Sequence, residues 1–214
     1  MIMHFEILVE GQSELTALSI LMPFLVGKYM EPHSWKIHKH RGIGKLPDSF
    51  DYRPNVNDMT LLHQLPAKIK AYSRDPMENR VVIVLLDLDS NNKYELLSKL
   101  NSIMDYCNNH IKIEFLFAVE ELEAWYLGDR DALVKYNPNI RIDELHGYAQ
   151  DSICGTWEVL ARADDPSYLR VKKRDPRSLD KKKEWAKKIP PHMNFKVNLS
   201  PSFQDFVKSI LSYI

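Results

Sequence analysis

Six acidic side chains stand where an apolar run gives way to a turn: Glu10 after ILV, Asp87 and Asp89 at the end of RVVIVLLDLD, and Glu120, Glu121 and Glu123 after IKIEFLFAV. Asp87 and Asp89 are separated by Leu88 alone, so in an extended strand both carboxylates leave one face while Leu88 leaves the other. Two carboxylates on one face of a buried strand end repel each other unless something positive lies between them. Parallel strands align their carboxyl ends, and a divalent cation held by oxygen ligands is the chemistry that three acidic strand ends suit. Open α/β sheets also keep their ligands at that edge. A plainer alternative stays open: Asp89 and Ser90 cap the helix that begins near Lys93, and the glutamates favour a helix's first turn through its dipole. Glu121 and Glu123 carry a further constraint. On a helix they would point about 200° apart, so they share a cation only if the strand continues through Glu121, or if one ligates while the other braces a neighbouring segment.

The elements that must position these acids alternate. Residues 3–9 (MHFEILV) read as a strand ending at Glu10-Gly11, with Gly11 allowing close backbone approach. Ser13 reads as a helix cap with Glu14 in the first turn, and the apolar helix runs to about Met30, kinked or interrupted at Pro23. A second strand covers His33–His40, and a long loop covers Arg41–Asn57, with Gly42, Gly44, Pro47 and Pro54. A helix over Thr60–Tyr72, weakened at Pro66, precedes the strand at Arg80, whose run is apolar on both faces as a central parallel strand requires. A helix over about Asn92–Asn108, a strand over Ile111–Val119 and a helix EELEAWYLG complete the alternation. The pattern predicts an α/β core with a mainly parallel sheet flanked by helices over 1–128. Short helices over 129–214 read as an extension packed on it.

Composition narrows the function less. The 214 residues carry 29 Lys and Arg against 29 Asp and Glu, but Arg170–Lys188 holds ten basic and three acidic residues, leaving the remainder net negative by seven. A basic segment beside an acidic body suits a polyanion held next to a metal. Lys181, Lys182 and Lys183 within it either contact phosphates or coat a helix face. Cys107 and Cys154 form no pair motif, which argues against a disulfide framework or cysteine zinc site and fits a reducing cytoplasm. His33, His38 and His40 lack a fourth ligand in register and read as ordinary surface histidines. Trp125, Trp157 and Trp185 follow no base-stacking spacing and read as core or interface anchors. No leader and no long apolar span point to a membrane. A Gly-rich phosphate loop, and with it intrinsic ATP hydrolysis, is missing from the sequence.

The stretches ILVEGQSE at Ile7–Glu14, LLDLDSNN at Leu85–Asn92 and EELEAWYLGD at Glu120–Asp129 resemble, in order, the motifs of Toprim-type proteins. The third, with NLSPSFQDF near the C-terminus, resembles the bacterial domain-of-unknown-function family 4276, a Toprim-like group. The resemblance implies a Toprim-like, Rossmann-like fold and a Mg²⁺- or Mn²⁺-dependent phosphodiester-cleaving site, distantly similar to that of overcoming-lysogenization-defect nucleases. It assigns Glu10 as general acid/base or first ligand and Asp87 and Asp89 as metal ligands. Glu14 matches an extra ligand supporting a second metal, and Glu121 and Glu123 match a third acidic motif. The chain has few glycines, and no lysine matches a nuclease catalytic lysine. The expected partner is nucleic acid, DNA or RNA, in a defence-type setting. The rival is a non-catalytic metal- or phosphate-binding subunit serving a separately encoded ATPase.

Overall fold

The computed structural model describes residues 1–89, 91–107, 111–153, 155–171 and 175–214. Among these, β1 (His4–Val9), β2 (Ser34–Lys39), β3 (Arg80–Asp87) and β4 (Lys112–Ala118) form one sheet in the order β2-β1-β3-β4. Every neighbouring pair is parallel. The run Arg80–Leu86 is buried throughout because β3 has a strand on each edge and helices over each face.

The period-two alternation of a strand divides the apolar residues between two layers. Phe5, Ile7, Val9, Val81, Ile83 and Leu85 pack under α1 (Gln12–Val26). Leu8, Val82, Val84 and Leu86 pack under α2 (Leu61–Arg74) and α3 (Lys93–Cys107). Beyond them the chain forms α4 (Glu123–Leu127), α5 (Arg130–Tyr136), α6 (Thr156–Asp164), α7 (Pro176–Lys188) and α8 (Pro201–Leu211). Their apolar faces join the α1 layer in one core, with Trp125, Trp157 and Trp185 all buried there. The helical region after residue 129 therefore completes the same core that the sheet begins.

Several local expectations change. The N-cap of α1 is Gly11, without a side-chain cap, so Ser13 lies inside the helix. Pro23 does not interrupt α1, which runs to Val26; the proline sits on the exposed face, where water can serve the carbonyl it leaves unpaired. Asn92 Oδ1 accepts from the backbone N–H groups of Tyr94 (2.9 Å) and Glu95 (3.2 Å) and so caps α3. The expected cap at Ser90, the helix end at Asn108 and the thiol of Cys154 lie outside the described residues. Among those described, no helix is long and apolar enough to cross a membrane.

Candidate metal centre

From β1 the chain moves outward to β2, and from β3 it moves the opposite way to β4, so the order β2-β1-β3-β4 places the switch point between β1 and β3. A crevice opens at the carboxyl ends of strands that diverge in this way. Glu10 and Asp87 stand on its two sides, and the Asp87 backbone N–H donates to Glu10 Oε1 at 2.8 Å. Glu14, one turn into α1, is buried and turns back to the same place. A Cβ on Gly11 would lie 3.2 Å from Glu14 Oε2, so the glycine makes room for that carboxylate.

Removing these acids from water penalises their charged forms, and crowding adds to the penalty. Burial pushes the Glu10 carboxyl up to about 8 against the pull of the Asp87 N–H, with Glu14, Asp89 and Glu121 adding repulsion. Burial and then Glu14 and Glu10 drive Asp87 well above the carboxylate range. Glu14 is raised by burial, opposed by Lys182.

The end of β4 supplies the rest. Backbone pairing continues past the strands, from Leu88 N to Ala118 O (2.8 Å) and from Asp89 N to Glu120 O (2.9 Å). Asp89 (φ 46°) and Glu120 (φ 62°) both adopt left-handed backbone, a conformation costly for side chains other than glycine and concentrated at functional sites. The strand therefore ends at Asp87, and a turn, not strand alternation, places the exposed Asp89. Glu120 faces away from the cleft; its carboxylate accepts from Gly155 N (2.8 Å) and Thr156 N (2.9 Å) at the start of α6. The turn at Glu120 also resolves the geometry of its neighbours. Glu121 precedes α4, so the 200° separation of two helical positions does not apply. Glu121 Oε1 lies 3.3 Å and Glu123 Oε1 3.7 Å from one ammonium, that of Lys182. Burial lifts Glu123 to about 6, opposed by Lys182. Lys182 itself is raised: burial works against its charge, but Glu123, Glu121 and Asp87 outweigh it.

The three consecutive lysines of α7 do not form one patch. Lys181 Nζ contacts Asp164 Oδ2 at 2.6 Å and Tyr136 Oη at 3.2 Å and is buried. Lys182 belongs to the acidic cluster. Lys183, paired with Asp180 at 2.8 Å, is exposed and lines the cleft with Leu179, one turn earlier on the same helix face. His40 and Arg41 line the same cavity, of about 520 Å³, together with Glu10, Glu14 and Asp87. Only Lys183 of the three is placed to meet a phosphate. Lys183→Gln is expected to lower the salt slope of nucleic-acid binding by nearly one, measured by titration across ionic strength. Lys181→Gln should leave the slope unchanged and cost about 1.5–3 kcal/mol of stability, because Asp164 keeps its bonds from Trp185 (2.9 Å) and Asn137 (2.8 Å). An equal slope change in both variants would contradict this division.

The histidines also differ from the surface expectation. His33 and His40 are buried: His33 Nδ1 accepts from Met3 N at 3.1 Å, and His40 Nδ1 donates to the Val9 carbonyl at 2.8 Å. His38 pairs with Glu6, away from the acidic cluster.

Two buried polar atoms test whether the donor set suits a cation. Among the described residues, Asp87 Oδ1 and the Tyr126 hydroxyl are buried without a hydrogen-bond partner. Burial and then Glu123, Glu14 and Asp87 raise the Tyr126 phenol far above its usual range, so it stays protonated beside the acids. An all-oxygen donor set with an unmatched carboxylate oxygen and more negative than positive charge fits Mg²⁺ or Mn²⁺. Among the described residues, no group of three or more His, Cys, Asp or Glu side chains is arranged so as to hold a metal ion as it stands. The sequence reading missed Tyr126, Arg41 and the role of Lys182. Tyr126 lies three residues after Glu123, one helical turn away, which was the one local signal.

The remaining motif residues hold this arrangement together. Trp125 Nε1 donates to Ser202 Oγ (3.1 Å), and Asn198 Nδ2 donates to Trp125 O (2.8 Å). A Cβ on Gly128 would meet Asn198 Oδ1 at 2.2 Å, so only glycine permits this approach. Asp129 caps α5 through Ala132 N (3.0 Å) and also accepts from Asn194 N (2.8 Å). EAWYLGD and NLSPSF are thus two halves of one joint, with Phe203 and Phe206 packed in tilted contact with the Trp125 ring. Comparison with curated proteins and with solved structures gives no match. The joint and the acidic cleft both fall within residues 9–211, over which the sequence matches the family described as Domain of unknown function (DUF4276), and the chain belongs to that family.

Proposed function

We infer that this protein is a Mg²⁺- or Mn²⁺-dependent nuclease that hydrolyses phosphodiester bonds in the cleft between β1 and β3. The observation that carries this reading is the convergence of the buried Glu14 with the half-buried Glu10 and Asp87 in one cleft, with Asp87 Oδ1 left without a partner and the exposed Arg41 and Lys183 lining the same cleft. Glu10, Glu14 and Asp87 would hold the cation, with Asp89 at the mouth. When bound, such a cation neutralises phosphate charge and lowers the pKa of water, so no nucleophilic side chain is required. Arg41 and Lys183 can hold phosphate oxygens at the rim. Tyr126 keeps its proton and can donate to a carboxylate as the cluster rearranges. Lys182 keeps Glu121 and Glu123 neutralised whether or not the cation is present. The likeness of VEG, DLD and the third acidic motif to Toprim-type sites supports the same reading.

A second reading has a specific observation in its favour. Lys182 already satisfies two of the acids, as a site that only binds would allow. The protein would then be a non-catalytic metal- or phosphate-binding subunit, with a separately encoded ATPase as partner.

Both readings require the cation, so its binding is tested first. At a hundredfold excess over Kd a ligand adds about 2.7 kcal/mol, which for a chain of this size raises Tm by about 5–10 °C. Millimolar Mg²⁺ or Mn²⁺ should give a shift of this order, and Asp87→Asn should lose most of it while remaining folded. A wild-type Tm indifferent to both ions would overturn the metal centre.

A further inference from the structure

A second cavity, of about 440 Å³, lies beside the acidic cleft and has no part in the chemistry assigned above. The two share their dividing wall. Gly42 lines the cleft and Gly44 the second cavity; Asp87 lines the cleft and Asn91 the second cavity. That wall is tied down. Gly42 N donates to Glu10 O (2.9 Å), and Leu61 N and Leu62 N donate to Gly42 O (3.0 Å) and Ile43 O (2.8 Å). A ligand reaching across it would therefore meet a fixed step between two sites.

The lining has two parts. Leu46, Phe50, Leu62 and Leu96 form an apolar wall large enough for a planar ring, and the volume falls within the range of small-ligand pockets. Lys45 and Lys99 are exposed at the rim; among the described residues neither forms an ion pair. Asp48 is the opposing charge, leaving the rim net positive. An aromatic side chain on an apolar wall beside uncommitted lysines is how sequence-tolerant sites hold a base and its phosphate. The neighbouring cleft carries Arg41 and Lys183 on its own rim, so positive charge continues from one cavity to the other.

We propose that the cavity walled by Phe50 and Leu46 and edged by Lys45 and Lys99 is a nucleotide subsite, which seats a base of single-stranded nucleic acid next to the phosphodiester in the acidic cleft. The proposal rests on the nuclease reading for the role of the cleft, and it narrows the substrate class to single strands. A base inside a duplex is stacked and paired, and entering a pocket would require its extrusion.

Equilibrium binding in EDTA separates the subsite from the chemistry. The probe is a short fluorescein-labelled thymidine oligonucleotide, free or annealed to its complement, followed by anisotropy. Wild type should bind the single strand at least ~10-fold more tightly than the duplex. Phe50→Ala should weaken single-strand binding by ~5-fold or more, the low end of base–aromatic stacking. Lys99→Gln, an exposed change that spares the core, should lower the salt slope by about 0.7. Equal affinity for duplex and single strand, or unchanged binding and slope in both variants of a protein with unaltered Tm, would overturn the subsite. Pocket-dependent binding without cleavage in Mg²⁺ or Mn²⁺ would uphold the subsite and remove the nuclease reading. Cleavage with both variants binding like wild type would do the reverse.

Discussion

Glu10→Gln should abolish metal-dependent cleavage, by a hundredfold or more, while nucleic-acid binding survives and the melting temperature stays level or rises. The amide keeps the shape of the carboxylate and can still accept from the Asp87 N–H, which is 2.8 Å from Oε1 in the wild type. What it removes is charge where burial and repulsion already oppose charge. Relief of that repulsion favours the fold, so a loss of activity cannot be ascribed to unfolding. In-line displacement needs water and phosphate placed closely, and small misplacements cost about a hundredfold. A site that merely binds responds in a graded way to the loss of one carboxylate. The measurement is cleavage of plasmid DNA, single-stranded DNA and structured RNA with Mn²⁺ or Mg²⁺. Full activity of Glu10→Gln, in a preparation free of contaminating nuclease, would place the active site elsewhere. A wild type inert on all three substrates even with its natural partner would favour the binding subunit.

Lys182→Met should cost about 3–5 kcal/mol at neutral pH, the typical price of leaving buried charge uncompensated. Its ammonium lies within 4 Å of both Glu121 and Glu123, whose side chains are only 7% and 4% exposed. The loss should depend on pH with a defined sign. Glu123 and Glu10 have folded values of about 6 and about 8, above their ordinary 4.5. The folded protein thus retains protons that the unfolded chain releases, and stability falls as pH rises between those limits. Without Lys182 this decline should steepen, so the variant's deficit is greatest above pH 8 and shrinks toward pH 5. Divalent cation should restore part of it at high pH. Urea denaturation across pH, with and without Mn²⁺, would decide; a deficit below about 1 kcal/mol at pH 8 would show that Lys182 is not the counter-charge.

The order of strands and helices was legible in the chain because apolar periodicity survives in the sequence. Val81–Leu86 is apolar on both faces, as a strand between two others must be, and the structure buries all of it. The positions of Glu10 and Asp87 followed from the same reasoning, since parallel strands end together. Helix boundaries were less legible where a turn competes. EELEAWYLG carries helix-forming residues from Glu120, yet the helix starts at Glu123 because Glu120 takes a left-handed backbone and spends its carboxylate on the start of α6. That partner lies 35 residues away, beyond any local pattern.

Lys181, Lys182 and Lys183 show most plainly what only the tertiary structure decides. Three identical letters in a row carry no distinction in sequence, but a helix turns about 100° per residue. One lysine therefore meets Asp164, the next meets Glu121 and Glu123, and the third reaches the cleft rim. Sequence by itself determined that acids would gather at the end of a parallel sheet. Which of them line the cleft and which face Lys182 was settled by the packing of α7 against α1, because charge is read through space and not along the chain.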